Sequence, residues 1–137
     1  MNAESMYVGP TKKLRFAWFW WVIGYALIVW TINDSLEAHP PEFGHTSDKL
    51  LHFTGYFLLT TWFAGVAVTS RYWLVGLGLA ALGGAMEILQ GLMQNGRTAD
   101  WMDMLANSCG ILAGLLIAWL GLGRWMVWIE KLLGFQK

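Results

Sequence analysis

The chain has 137 residues, of which 56% are hydrophobic and 13% are charged, and its formal net charge is zero. A water-soluble domain of this length needs more polar surface, and the balanced charge argues against a nucleic-acid partner. Ten tryptophans and 16 glycines are typical of a membrane protein, since tryptophan collects at membrane interfaces and glycine is common in membrane helices. We therefore predict an all-α membrane protein whose residues 1–137 form a single domain.

Four apolar runs are long enough to cross a bilayer as helices, which takes about 20 residues each. The predicted transmembrane helices cover about residues 14–32, 50–68, 72–93 and 104–122. The first run is longer than the apolar core of roughly 7 to 15 residues in a cleaved signal peptide, so we predict that it is retained. After the fourth run, about residues 124–135 are predicted to form a short amphipathic helix on the membrane surface.

The basic residues predict the orientation of the helices, because lysine and arginine are more frequent on the cytoplasmic side. All of them except Lys49 and Arg97 lie at the two ends of the chain or between the second and third runs. Both termini are therefore predicted to be cytoplasmic. The segment from Asn33 to Lys49 contains prolines and turn-forming residues and is predicted to be an external loop.

Polar and small residues recur every three or four positions on three of the helices, which places them on one face of each. The second helix carries Asp48, His52 and Tyr56. The third carries Gly76, Ala80, Gly83, Glu87 and Gln90. The fourth carries Asp100, Asp103, Asn107, Gly110 and Gly114. Small residues let helices approach closely, so we predict that these stripes face one another and form one polar pocket that opens outward.

The first helix has no ionisable residue between Arg15 and Asp34, and we predict that it is a scaffold. Cys109 is the only cysteine, which excludes an intramolecular disulfide and a cysteine-based zinc site. A free cysteine usually behaves as a small hydrophobic residue, so Cys109 is expected to be buried.

Glu87 and His52 are the candidates for chemistry. A carboxylate inside hydrocarbon is costly, which makes Glu87 a functional candidate, although it could instead pair with His52 or Lys49 and join two helices. His52 shares a helix face with Asp48 and Tyr56, an arrangement that can fix its tautomer and modulate its basicity. Either residue could act as a general acid or base.

Arg97 and Lys49 are predicted to bind an anionic group, because the planar guanidinium of arginine can contact phosphate or carboxylate through two hydrogen bonds. Alternatively, Arg97 pairs with Asp100 or Asp103, and these acids stabilise the start of the fourth helix. The complete predicted binding site consists of Asp48, Lys49, His52, Tyr56, Glu87, Gln90, Arg97, Asp100, Asp103 and Asn107.

Metal binding is a weaker interpretation of the same residues. The carboxylates of Glu87, Asp100 and Asp103 suit Ca²⁺ or Mg²⁺, and His52 could add a ligand for zinc. Their spacing matches no recognised metal site, and the chain contains none of the standard catalytic motifs. We therefore assign no metal and no cofactor.

Two segments closely resemble the VanZ-like family. They are "DKLLHFTGY", residues 48–56, and the run from "EILQ" at Glu87 through the pattern R..D..D...N..G that ends at Gly110. The resemblance covers roughly residues 14–122 and implies a small bacterial membrane protein of the cytoplasmic membrane. The family is named for a member of a glycopeptide-resistance cluster that is associated with low-level teicoplanin resistance. The motif positions are Asp48, Lys49, His52, Tyr56, Glu87, Gln90, Arg97, Asp103 and Asn107.

Three functions are compatible with this pattern. The first is an outward-facing pocket for the headgroup of a membrane lipid or a lipid-linked cell-wall intermediate. The second is an integral-membrane enzyme in which Glu87 or His52 is the general base and Arg97 stabilises developing charge. The third, proton-coupled transport, is disfavoured because the inner halves of the helices carry no chain of ionisable residues.

Overall fold

The computed structural model describes residues 13–36, 45–93 and 99–135, apart from the side chains of residues 45–47. These residues form five α-helices, which confirms the all-helical prediction. The helices are α1 (Ala17–Leu36), α2 (His45–Val66), α3 (Tyr72–Met93), α4 (Trp101–Trp119) and α5 (Trp125–Leu132).

The bounds of α3 agree with the predicted segment 72–93, whereas α4 begins and ends a few residues before the predicted segment 104–122. Its start is set by Asp100, whose side chain accepts a hydrogen bond from the backbone N–H of Met102 at 2.9 Å. Such a cap satisfies a donor that the first turn of a helix leaves free. Shortly after α4 ends, Gly121 adopts a φ of 123°, a conformation that favours glycine.

The predicted external loop is wrong at both of its ends. Helix α1 continues to Leu36 and α2 already begins at His45, so only residues 37–44 separate them, and these lie outside the described residues. The loop was predicted from polar composition. A helix can continue beyond its apolar segment because its backbone hydrogen bonds do not depend on apolar side chains.

Two helical segments in the described ranges are long and apolar enough to cross a membrane, Thr69–Met93 and Trp101–Trp119. Helices α1 and α2, with 20 and 22 residues, also have sufficient length for a hydrocarbon core of about 30 Å. Helix α2 is less apolar than the other three, because it begins with several polar and charged residues. The arrangement of four spans therefore stays a prediction.

Helix α2 is the centre of the bundle and contacts α1, α3, α4 and α5. Its most extensive contact is with α4, where two glycines bring the backbones together. A Cβ atom at Gly110 would collide with the backbone carbonyl oxygen of Phe53. One at Gly114 would lie only 2.7 Å from the Cβ of Thr60. The GxxxG pattern is thus used within the chain, between α4 and α2.

Large apolar side chains are exposed along the outside of all four long helices. Examples are Trp18 on α1, Leu58 on α2, Leu77 on α3 and Leu112 on α4. Apolar surface of this extent is unusual on a soluble monomer and agrees with contact to lipid. Cys109 is also exposed, so the prediction that it is buried is wrong. Neighbouring positions on a helix point about 100° apart, and it is the next residue, Gly110, that faces α2.

The C-terminal helix α5 confirms a helix within the predicted range 124–135, and one side of it packs against the bundle. Its place on the membrane surface stays a prediction. The carboxylate of Glu130, 1% exposed, accepts hydrogen bonds from the backbone N–H groups of Arg15 at 2.7 Å and Phe16 at 3.1 Å. It also accepts one from the indole N–H of Trp20 at 3.0 Å. Helix α5 is therefore attached to the start of α1. Its exposed apolar side chains are Trp128 and Leu132.

Candidate functional site

A lysine and two aspartates join the N-terminal ends of α2 and α4. The ammonium nitrogen of Lys49 lies 2.7 Å from a carboxylate oxygen of Asp100 and 2.7 Å from one of Asp103. These hydrogen bonds, to Asp100 and then to Asp103, hold the pKa of Lys49 above its ordinary value. Lys49 is thus already neutralised by protein groups, so its predicted role of binding an anionic ligand would require it to exchange partners.

His52 lies one helical turn after Lys49 and faces the same helix. Its Nδ1 is 3.0 Å from the side-chain oxygen of Asn107, and this oxygen can only accept, so Nδ1 is the donor. Its Nε2 then points toward carboxylate oxygens of Asp103 and Asp48, at 3.7 and 4.0 Å. The imidazole side chain is 11% exposed. Asn107 therefore orients the ring and leaves Nε2 as the atom available for chemistry.

Helix α3 contributes Glu87, which is 4% exposed. Its carboxylate accepts a hydrogen bond from the backbone N–H of Asp100 at 3.1 Å. One turn before it, Gly83 leaves room for the amide of Asn107 and the hydroxyl of Tyr56, since a Cβ there would lie 3.2 Å from each. The polar stripes of α2, α3 and α4 thus meet, and Glu87 joins α3 to the start of α4.

Two members of the predicted stripe on α3 have different surroundings from Gly83 and Glu87. The side-chain amide of Gln90 donates to the backbone carbonyl of Ser35 at 2.8 Å, so it joins α3 to the end of α1. Ala80 is exposed, whereas Leu79 is buried in the core. The spacing of three and four residues used to predict the stripe was therefore not sufficient to decide whether residue 79 or residue 80 faces inward.

A cavity of about 200 Å³ lies between the C-terminal end of α1 and the facing side of α2, next to these polar contacts. We call it the outer cavity, after the orientation that the sequence predicts for this end of the bundle. Apolar lining comes from Trp30, Leu51 and Leu58. Polar lining comes from Thr31, Asp34, Ser35, Asp48, His52 and Tyr56. The cavity is therefore amphipathic.

The contribution of α1 to this cavity was missed in the sequence. Thr31, Asp34 and Ser35 follow one another at intervals that place them on one helix face, which was a usable signal. This signal was not used because the predicted first helix ended at Ile32, before Asp34 and Ser35. The prediction that α1 is a scaffold did not consider these side chains at its C-terminal end, which line the cavity.

The ten predicted site residues fall into separate groups. Those that line the outer cavity are Asp48, His52 and Tyr56. Those that lie in the adjoining network of polar contacts are Lys49, Glu87, Asp100, Asp103 and Asn107. Gln90 contacts the end of α1, and Arg97 lies outside the described residues.

One group in the described part of the chain has the composition of a metal site. Ligand atoms of Asp48, His52 and Asp103 all lie within 4.8 Å of one another. One imidazole nitrogen and two carboxylates suit a divalent cation such as zinc. The same groups can also accept hydrogen bonds from a polar ligand or exchange a proton with it.

Comparison with known proteins gives one match. No curated protein and no solved structure matches the chain. The VanZ/LLP1 family matches residues 5–122, a range that contains α1 to α4 and all ten predicted site residues. This match covers well over half of the sequence and confirms the resemblance seen in its motifs. The chain belongs to the VanZ/LLP1 family.

Proposed function

We propose that this protein crosses the bacterial cytoplasmic membrane with four helices, with both termini inside, and holds the headgroup of a lipid or lipid-linked cell-wall intermediate in the outer cavity. The observation that carries this proposal is the amphipathic lining of that cavity. Asp34, Asp48 and His52 provide polar groups beside the apolar Trp30 and Leu58. A molecule with a polar head and an apolar tail matches such a lining.

The charges of the site residues indicate that different residues bind the phosphate of the headgroup and its hydrogen-bond donors. Asp34 and Asp48 line the cavity, and Lys49 is occupied by two carboxylates. Hydroxyl or ammonium groups, which donate hydrogen bonds, therefore suit the cavity better than a bare phosphate does. We assign the phosphate to Arg97, because its planar guanidinium forms paired hydrogen bonds with such anions.

Membership in the VanZ/LLP1 family, which is linked to glycopeptide resistance, is consistent with a role at the cell envelope. Glycopeptides such as teicoplanin act on lipid-linked targets at the outer surface of the membrane. A protein that holds the headgroup of such a lipid changes how easily the antibiotic reaches it. We propose that the protein affects teicoplanin susceptibility in this way.

An integral-membrane enzyme is the second candidate, and the position of His52 favours it. Its Nε2 faces Asp48, and both side chains line the outer cavity, where a bound headgroup would lie. Glu87 is less suited to act on such a ligand, because its carboxylate binds the backbone of Asp100 and it does not line the cavity. His52 is therefore the acid or base that we assign to this alternative.

Native mass spectrometry of the detergent-purified protein tests the headgroup site. Wild type is expected to retain a defined lipid, and Asp48→Asn and Arg97→Ala are each expected to lower its occupancy at least about tenfold, as loss of a charged hydrogen bond predicts. Lys131→Ala is the control, since Lys131 is an exposed basic residue on α5. Circular dichroism first establishes that all four proteins are folded.

Equal lipid profiles in the wild type and both site variants would reject the headgroup site. Incubation of the purified protein with the retained lipid then separates binding from catalysis. A new product that disappears in His52→Ala would identify an enzyme, whereas an unchanged lipid agrees with a binding protein.

A further inference from the structure

A second cavity of about 420 Å³ lies along the other half of the bundle. Helices α1 and α3 form its sides and α2 its floor, through side chains that include Ile28, Leu82 and Phe63. We call it the α1–α3 groove. It is separate from the outer cavity, because the two share no lining residue.

The groove is long enough to hold an extended hydrocarbon chain. Its lining along α3 runs from Arg71, just before the helix, to Leu82, which is about 16 Å at a rise of about 1.5 Å per residue. Gly78 lies between these residues, and a Cβ added there would have no atom within 4 Å apart from the adjacent residues and the nearby backbone of its own helix. The missing side chain therefore helps keep the groove open.

Arg71 is the charged residue at one end of this otherwise apolar groove. It is exposed, and its side chain forms no ion pair or hydrogen bond with a residue in the described ranges. The predicted topology puts this end of the groove at the cytoplasmic face. A basic group there is placed to bind an anionic headgroup, and the apolar walls are placed to bind a hydrocarbon chain.

We propose that the α1–α3 groove binds one acyl chain of an anionic phospholipid whose phosphate contacts Arg71. This proposal rests on the membrane placement given under Proposed function, and it does not depend on what the outer cavity binds. It defines a second lipid site on the protein, at the opposite end of α3 from Glu87.

The test is native mass spectrometry after equilibration of the full chain with an equimolar mixture of phosphatidylglycerol and phosphatidylcholine. Wild type is expected to retain phosphatidylglycerol preferentially. Arg71→Gln is expected to lower this preference about fivefold, as loss of one basic residue near anionic lipid predicts. Gly78→Leu fills the groove and is expected to remove the lipid bound in the groove, of either kind, while lipid in the outer cavity stays.

Matched controls are available for both substitutions. Arg124→Gln removes another exposed arginine near the same end of the bundle, and Gly84→Leu adds a side chain at another open position of α3. Neither residue lines the groove, so both variants are expected to behave as wild type. Neither Gly78 nor Gly84 lines the outer cavity, so a lipid bound there is common to both variants and does not enter their comparison.

Two results would overturn the proposal. The first is equal lipid retention by Gly78→Leu and Gly84→Leu, because the groove would then not be the place where the lipid binds. The second is a wild-type dimer that Gly78→Leu converts to a monomer, because the groove would then be covered by a second copy of the chain.

Discussion

Gly110→Ala is expected to destabilise the protein by at least the upper end of the roughly 1–3 kcal/mol that overpacking usually costs. The new methyl group would collide with the backbone carbonyl oxygen of Phe53 and lie 3.1 Å from the backbone nitrogen of Phe57. A backbone cannot rotate away as a side chain can, so α4 must move away from α2. That movement would also separate His52 from Asn107, which face each other across the same contact.

The midpoint of unfolding in mild detergent, followed by circular dichroism, measures this effect. Gly55→Ala is the control, since a Cβ added there would have no atom within 4 Å apart from the adjacent residues and the nearby backbone of α2. It is expected to be neutral or to stabilise the helix by up to about 1 kcal/mol, because alanine is the better helix former. Equal midpoints for the two variants would show that α2 and α4 do not approach each other as closely as described.

Lys49→Met is expected to destabilise the folded state by about 1–3 kcal/mol, the usual cost of leaving a buried polar partner unsatisfied. The substitution removes the counter-ion of Asp100 and of Asp103, whose side chain is only 8% exposed. Methionine keeps most of the apolar length of lysine, so the loss of stability comes from the missing charge and not from missing apolar contacts.

The double variant Lys49→Met/Asp103→Asn tests the cause. It is expected to recover part of the lost stability, because the carboxylate without a counter-ion is then neutral. Lys131→Met, which changes an exposed lysine, is expected to leave the unfolding midpoint unchanged. If the double variant is as unstable as the sum of its single variants, the ion pair is not what holds these two helix ends together.

Helical periodicity was sufficient to predict which faces of α2, α3 and α4 are polar. His52, Glu87 and Asn107 were placed on such faces from their spacing, and the structure brings them to one end of the bundle. The bounds of α3 were also predictable, because its apolar run is nearly uninterrupted. These features depend on residues that are close in sequence, which is the information that a pattern contains.

Contacts between helices were not predictable in the same way. The spacing of Lys49 does not show that Asp100 and Asp103 occupy its ammonium group, and the spacing of Glu130 does not show that it binds the start of α1. Likewise, the polar end of α1 lay beyond the predicted helix, so its part in the outer cavity was missed. Each of these depends on how separate helices pack, which periodicity alone does not determine.

The most direct test of the headgroup site is photo-crosslinking in living cells from a benzoylphenylalanine placed at residue 55. Gly55 lines the outer cavity and has open space for a side chain. Residue 84 is the control: Gly84 also has open space, lines neither cavity, and lies at a similar distance from the same end of the bundle, nine residues before the end of α3.

Mass spectrometry of the purified adducts is the readout. The proposed function predicts that residue 55 captures a defined lipid or lipid-linked intermediate through its headgroup, and that residue 84 captures bulk membrane lipid. The same mixture of bulk lipids at both positions would contradict the claim that the outer cavity selects a headgroup.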